Sequence, residues 1–181
     1  MTELEQLKQE LQRLTEKVEE LEKQEEEHHK SGYPKLSERY YFVGIDYRNG
    51  EIRALDATWD NDKNDIYYWD FCHGSTDENK VKWTIEHIGL VNEIKKYTKD
   101  FEEGAENWYF YKEPSLGTYT LETWGIRTGE TPNEYGYFNS QEEIDKAIEQ
   151  LDEEYIFKFL FRPRNGDYKA VMDWLAEQEE E

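Results

Sequence analysis

Apolar residues recur every seventh position at the start of this chain, at Leu4, Leu11 and Val18, with Leu7, Leu14 and Leu21 interleaved at the same spacing. An apolar pair every 3.5 residues is the seam of a left-handed coiled coil. The stripe is narrow and the other faces are charged, so one such helix gains little by folding alone. It needs a second helix. In a parallel pair Glu3 meets Lys8, Lys17 meets Glu22 and Glu10 meets Thr15 of the other copy, with no like-charge pair. The competing reading is an amphipathic helix folded back on the rest of the chain. The repeat decays where the seam positions become Glu25 and His28, and Lys30-Ser31-Gly32-Tyr33-Pro34 breaks the helix. Residues 1–30 are therefore expected to form a coiled-coil helix that joins two copies in parallel through Leu4, Leu7, Leu11, Leu14, Val18 and Leu21, and residues 31–38 a linker.

The remainder reads as an α+β body. Tyr40–Tyr47 and Ile52–Trp59 are aromatic, β-branched runs separated by a turn containing Asn49-Gly50, a strong hairpin signal because both residues tolerate positive φ. A polar loop, Asp60–Asp65, leads to a third expected strand, Ile66–Cys72, and Gly74-Ser75-Thr76-Asp77 caps a helix running to about Lys99. The pattern then restarts. Trp108–Tyr111 and Thr118–Trp124 flank a Pro114–Gly117 turn, Tyr135–Phe138 is a short strand, and Ser140-Gln141-Glu142-Glu143 is a capping box before Ile144, Ala147, Ile148 and Leu151. Thr58-Trp59 and Thr123-Trp124 lie 65 residues apart, and the helix faces align at a shift of 63. The body is thus expected to hold two duplicated β-β-β-α units, residues 39–104 and 105–161, and then a C-terminal helical extension, 162–181. Tyr155–Phe161 fits a buried strand or a helix equally by periodicity. Tyr168–Gln178 reads as a helix burying Ala170, Val171, Trp174 and Leu175.

The heptad-rich head, Tyr40-Tyr41-Phe42, Trp59-Asp60-Asn61-Asp62, the capped helix and Asn107-Trp108-Tyr109-Phe110-Tyr111 together resemble small accessory proteins encoded by phages and prophages of Gram-positive bacteria. Gly136–Glu143 and Lys158-Phe159-Leu160-Phe161 extend the resemblance over most of residues 1–161. These motifs are aromatic framework and helix caps. The resemblance therefore implies a setting, a protein made during infection or carried in a prophage, and brings no catalytic residue with it.

Charge narrows the function classes. The 181 residues carry 43 acids and 22 bases, a formal charge of −21, and the excess of acid is 5 in residues 1–38 and 16 in residues 39–181. A field of that sign repels nucleic acid and anionic lipid and attracts basic proteins. One cysteine, Cys72, permits no internal disulfide, and no apolar run is long enough to span a bilayer, so a cytoplasmic setting within the host cell is expected. Asp60-Asn61-Asp62-Lys63-Asn64-Asp65 alternates oxygens like a calcium loop, but Asp65 and Phe71 stand where such a loop needs glycine and a bidentate glutamate. Cys72 and His73 are adjacent, which is not the placement of a nucleophile and its base. His28, His29 and His87 lack metal-ligand spacing, and there is no phosphate-binding glycine loop. No metal, cofactor or catalytic residue is assigned.

The residues favour a non-enzymatic, dimeric acidic protein that binds and inhibits a basic host protein of nucleic-acid handling or defence. Its carboxylates would imitate the phosphates of a duplex, with Asp56, Asp60, Asp62 and Asp65 as the candidate contact cluster. One alternative is a dimeric scaffold or regulator of phage development whose acid only confers solubility. Another is a binder or enzyme of a small nucleotide signal, for which Arg48, Arg53, Arg127, Arg162 and Arg164 are the sparse basic candidates.

Overall fold

A computed structural model describes residues 10–18, 32–115, 118–129 and 133–179. The chain is mixed α+β, with six helices and two small antiparallel sheets of two strands each among the described residues. It divides into two compact units, Met1–Val81 and Lys82–Glu181. No described helix is long and apolar enough to cross a membrane.

In the first unit, residues 10–18 form α1, on which Leu11, Leu14 and Val18 are exposed. Leu4, Leu7 and Leu21 lie outside the described residues. Strands β1 (Arg39–Ile45) and β2 (Ile52–Thr58) pair from Arg39↔Thr58 to Ile45↔Ile52. The hairpin forms where Asn49-Gly50 places it, but by a longer turn than a two-residue one. Asp46 N–H donates to the Glu51 carbonyl, Gly50 N–H donates to the Asp46 carbonyl, and Gly50 alone of the dipeptide takes positive φ, +78°. Alternation along β1 sends Tyr40 and Phe42 inward, where they meet Trp59 and are covered by Tyr33, Leu55, Ala57, Tyr68, Trp69 and Cys72. The other side of β1 is bridged by Ser75, which exchanges two backbone hydrogen bonds with Tyr41, and by Val43 N–H donating to the Cys72 carbonyl.

The expected third strand is a helix, α2 (Lys63–Phe71). Its aromatic content has the propensity of a strand, yet its burial follows the helical period. Asp65, Tyr68, Trp69 and Cys72 turn inward, while Ile66, Tyr67, Asp70 and Phe71 are exposed. Asp62 decides the matter locally, because its carboxylate accepts from Asn64 N–H at 2.7 Å and Asp65 N–H at 2.9 Å. Asp77 opens α3 (Glu78–Ile94) in the same way, accepting from Asn79 N–H. That helix stops five residues before the expected Lys99, as Lys96 and Tyr97 N–H groups tighten onto the Glu93 and Ile94 carbonyls.

In the second unit β3 (Asn107–Ser115) and β4 (Thr118–Ile126) form the second hairpin. Tyr137 and Phe138 make single bridges to Lys99 and Trp108 instead of a strand. Helix α4 (Gln141–Leu151) begins with the predicted capping box: Ser140 Oγ accepts from Glu143 N–H, and the Glu143 carboxylate reaches back to Asn139 N–H at 2.9 Å. Residues 153–160 resolve as helix α5 (Glu153–Leu160), capped by Asp152, whose carboxylate accepts from Tyr155 N–H. Helix α6 (Tyr168–Glu179) follows a short 3-10 turn at Arg164–Gly166. Trp83, Leu90, Ile94, Phe110, Phe138, Ile144, Ile156 and Phe159 build the core, and Val171, Met172, Trp174 and Leu175 of α6 pack against it, while Ala170 is exposed. Trp59 and Trp124, aligned in the sequence, differ here: Trp59 is 1% exposed and Trp124 55%.

Candidate functional site

The acidic cluster chosen from the sequence is brought together in part. Asp60, Asp62 and Asp65 each offer a carboxylate oxygen within 4.8 Å of the others. Asp56 is elsewhere, on β2, where it holds Arg39 at 3.1 Å. The three converge because they build the start of α2. Asp65 is buried, accepting from the Tyr40 hydroxyl at 2.8 Å and from Asp60 N–H at 2.7 Å, while Asp62 caps the helix and Asp60 accepts from Asp62 N–H. Hydrogen bonding to the Asp65 carboxylate chiefly holds the Asp60 carboxyl above its ordinary value. For Asp65 burial is the largest single influence and acts upward, yet the donors from Asp60 and Tyr40 outweigh it and leave this carboxyl below its ordinary value. These oxygens are already engaged by the protein. Phe71, in the last position of the calcium-like pattern, is on α2 and exposed.

The outward acid lies elsewhere. On α4 and α5, and between them, Glu142, Asp145, Glu149, Asp152, Glu153 and Glu154 are all exposed, and Lys146 is the one base from residue 141 to residue 154. The inner faces of the same helices bury Ile144, Ala147, Ile156, Phe159 and Leu160, so the carboxylates stand on a fixed backbone. Sequence reading passed over this surface because acids are frequent everywhere in the chain. The signal available was the capping box followed by apolar residues at helical spacing.

The basic candidates are dispersed. Arg48 and Arg53 both hold Asp46, at 3.6 and 2.7 Å, and Arg127 holds Glu106 at 2.6 Å. Arg162 and Arg164 follow α5, where the Lys112 ammonium donates to the Arg162 carbonyl. None of the five lines the groove of about 760 Å³ in the second unit, whose walls include Lys95, Lys99, Asp100, Phe101, Glu134 and Tyr137. That groove joins segments far apart in sequence through the Lys99–Tyr137 bridge, so spacing could not foretell it.

Cys72 is half-buried at the end of α2, and burial pushes its thiol up, away from the reactive thiolate. His87 is a tie that its sequence position did not disclose. Its Nδ1 lies 2.7 Å from the Phe159 carbonyl and its Nε2 3.0 Å from Glu134 Oε1, with the ring stacked on Trp83. No family model, curated protein or solved structure matches the chain.

Proposed function

We propose that the protein is a non-enzymatic, acidic interaction protein that dimerises through residues 1–30 and binds a basic partner. That partner is read as a host protein of nucleic-acid handling or defence, met in the host cytoplasm and inhibited by carboxylates placed where it would accept phosphates. One observation carries the reading: six exposed carboxylates on α4, on α5 and between them, of which Asp152 caps α5 and Glu154 pairs with Lys158 at 3.2 Å, stand on a fixed backbone with Lys146 as the one base from residue 141 to residue 154. Charge of one sign on a rigid, capped scaffold recruits a basic cleft by the same steering and counterion release that draw such a cleft to a duplex. Three exposed leucine and valine side chains on α1 support self-association through the seam.

The two hairpins also support a duplication. In each unit the first strand is bridged on its far side by one short segment, Tyr41 by Ser75 and Trp108 by Phe138, and a capped helix follows two residues later at Asp77 and Ser140. The hairpin partners are offset by 67 residues and the caps by 63, and the insertion of α2 in the first copy falls between them.

Glu142→Gln, Asp145→Asn and Glu149→Gln together remove three charges while leaving both caps intact. The partner should be captured from host lysate at low salt, released at high salt, and held more weakly by the triple variant. It should also give up labelled duplex DNA when it binds. A partner that keeps its DNA, or ignores salt, rejects mimicry. Binding unchanged in the triple variant assigns the acid to solubility and favours the scaffold reading.

A further inference from the structure

Strand β4 is an edge. Among the described residues it pairs with β3 alone, whereas β3 is closed on its far side by the Phe138 bridge at Trp108 and the Tyr135 hydroxyl on Phe110. In an antiparallel pair alternate N–H and C=O groups of each strand point away from the partner. Such an edge is a template for a further strand unless proline, lysine, a bulge or a covering element blunts it. β4 has nine residues and neither proline nor lysine, and its register with β3 runs unbroken from Asn107↔Ile126 to Ser115↔Thr118.

The sheet face beside that edge is aromatic and acidic. Register and alternation place Tyr109, Tyr111 and Glu113 of β3 on one side with Thr120, Glu122 and Trp124 of β4, and Trp108, Phe110 and Lys112 on the other. Ring contacts agree. Trp124, 55% exposed, meets Tyr111 edge-on at 6.3 Å, while Phe110 is buried in the core and Lys112 Nζ stands over Phe157 of α5 at 5.3 Å. The charged residues from Asn107 to Ile126 are Lys112, Glu113 and Glu122, so the aromatic side holds two exposed carboxylates and the one base lies behind it. Beyond the strands Arg127 is held by Glu106 at 2.6 Å and Lys99 by Glu102 at 3.1 Å. Glu113 accepts from the Tyr111 hydroxyl at 2.5 Å, and Glu122 stands directly across from Tyr111. Carboxylates among ring faces take up ammonium and guanidinium groups, by charge and by cation–π attraction.

We propose that the β4 edge receives an extended cationic segment as an added strand, its alternate lysines or arginines lying over Trp124 and Glu122. A second copy fits worse. Two β4 strands paired antiparallel over their full length set Glu122 against Glu122, a like-charge pair. The segment is taken to belong to the basic partner, which rests on the function proposed above; the edge itself is tested without that partner.

The probe is a capped octapeptide of alternating lysine and threonine, with a glutamate–threonine octapeptide as control, titrated into the full chain at low salt. Calorimetry reads affinity, and amide hydrogen exchange reads β4. The lysine peptide should bind, and the alternate β4 amides that do not pair with β3 should exchange at least about tenfold more slowly. Glu122→Gln with Trp124→Ala should weaken it at least about tenfold, and Glu142→Gln, Asp145→Asn, Glu149→Gln should leave it unchanged. Both β4 positions are exposed, near-UV circular dichroism checks the fold, and Glu122→Gln alone serves if the pair disturbs it. No binding of the lysine peptide overturns the site and leaves the α4–α5 acid as it stands. Binding that only the helix variant weakens, with β4 amides unprotected, also overturns it. Equal binding of the glutamate peptide overturns the cationic occupant, and β4 amides that lose protection on dilution of the native chain assign the edge to a second copy. Peptide binding as expected, with no basic partner captured from host lysate, upholds the edge and rejects the earlier reading.

Discussion

Tyr135 shows how one side chain substitutes for a missing strand. Its hydroxyl accepts from Phe110 N–H at 2.9 Å and donates to the Phe110 carbonyl at 2.8 Å, continuing the edge of β3 beyond the Trp108–Phe138 bridge. Tyr135→Phe keeps the ring but strands both backbone groups in a buried site. It should cost about 1–3 kcal/mol in urea unfolding. Burial pushes the Tyr135 hydroxyl, and likewise that of Tyr155, well above the ordinary value of 10.0. The folded state therefore holds these protons more tightly than the unfolded chain. The stabilisation is fully present below about pH 10 and is lost as pH rises from there through the folded values. The urea midpoint should fall steeply above that pH, and less steeply in Tyr135→Phe. Next to it, Gly136 has φ +84°, and a Cβ there would stand 2.7 Å from the Lys99 carbonyl. Gly136→Ala should thus cost more than the roughly 1 kcal/mol of left-handed strain alone, read from the same titration.

At the scale of elements, caps carried more information than propensity. Both hairpins, α4 and α6 were legible because Asn49-Gly50, the Ser140–Glu143 box and the break at Pro163–Asp167 are short-range chemistry. Ile66–Cys72 was not read correctly, since its tyrosines and tryptophan suit a strand face and only the inward set Asp65, Tyr68, Trp69 and Cys72 reveals the helix. The aspartates before it read as a calcium-like pattern lacking its glycine and glutamate and as a candidate contact cluster, while their capping of α2 and hold on Tyr40 depend on the fold. The exposed acid of α4 and α5 was hidden by abundance, and the groove at Lys95–Tyr137 by its long-range bridge. Asp62→Ala removes the two hydrogen bonds that start α2, and should destabilise the first unit by about 0.5–2 kcal/mol. Hydrogen exchange at the Tyr68 and Trp69 amides reads this locally. Unchanged protection there would mean that packing on Trp59 holds the helix without its cap.

Over the whole molecule the question is whether salt stabilises or weakens a chain of net charge −21. Two effects oppose one another. Screening weakens ion pairs such as Arg53–Asp46 at 2.7 Å and Arg127–Glu106 at 2.6 Å, and it also weakens repulsion among the excess acids. Their ranges differ. The Debye length is about 30 Å at 0.01 M ionic strength and about 8 Å at 0.15 M. Ion pairs under 4 Å lie inside both lengths, and exposed ones contribute only about 0–1 kcal/mol each. Repulsion acts between carboxylates spread over a surface, so it operates at the lower ionic strength and is largely screened at the higher. Stability should therefore rise with salt. Calorimetry at pH 7 should show Tm increasing between 0.01 and 0.15 M sodium chloride, with each kcal/mol gained moving it by about 2–4 °C. The proposed dimer sharpens the expectation, because joining two copies would bring their excess acid together and mass action would couple assembly to folding. The native chain should gain more from salt than the Leu11→Glu, Val18→Glu variant. A Tm that falls as salt is added would show that the paired cations, and not the surplus of acid, set the electrostatics of the folded state.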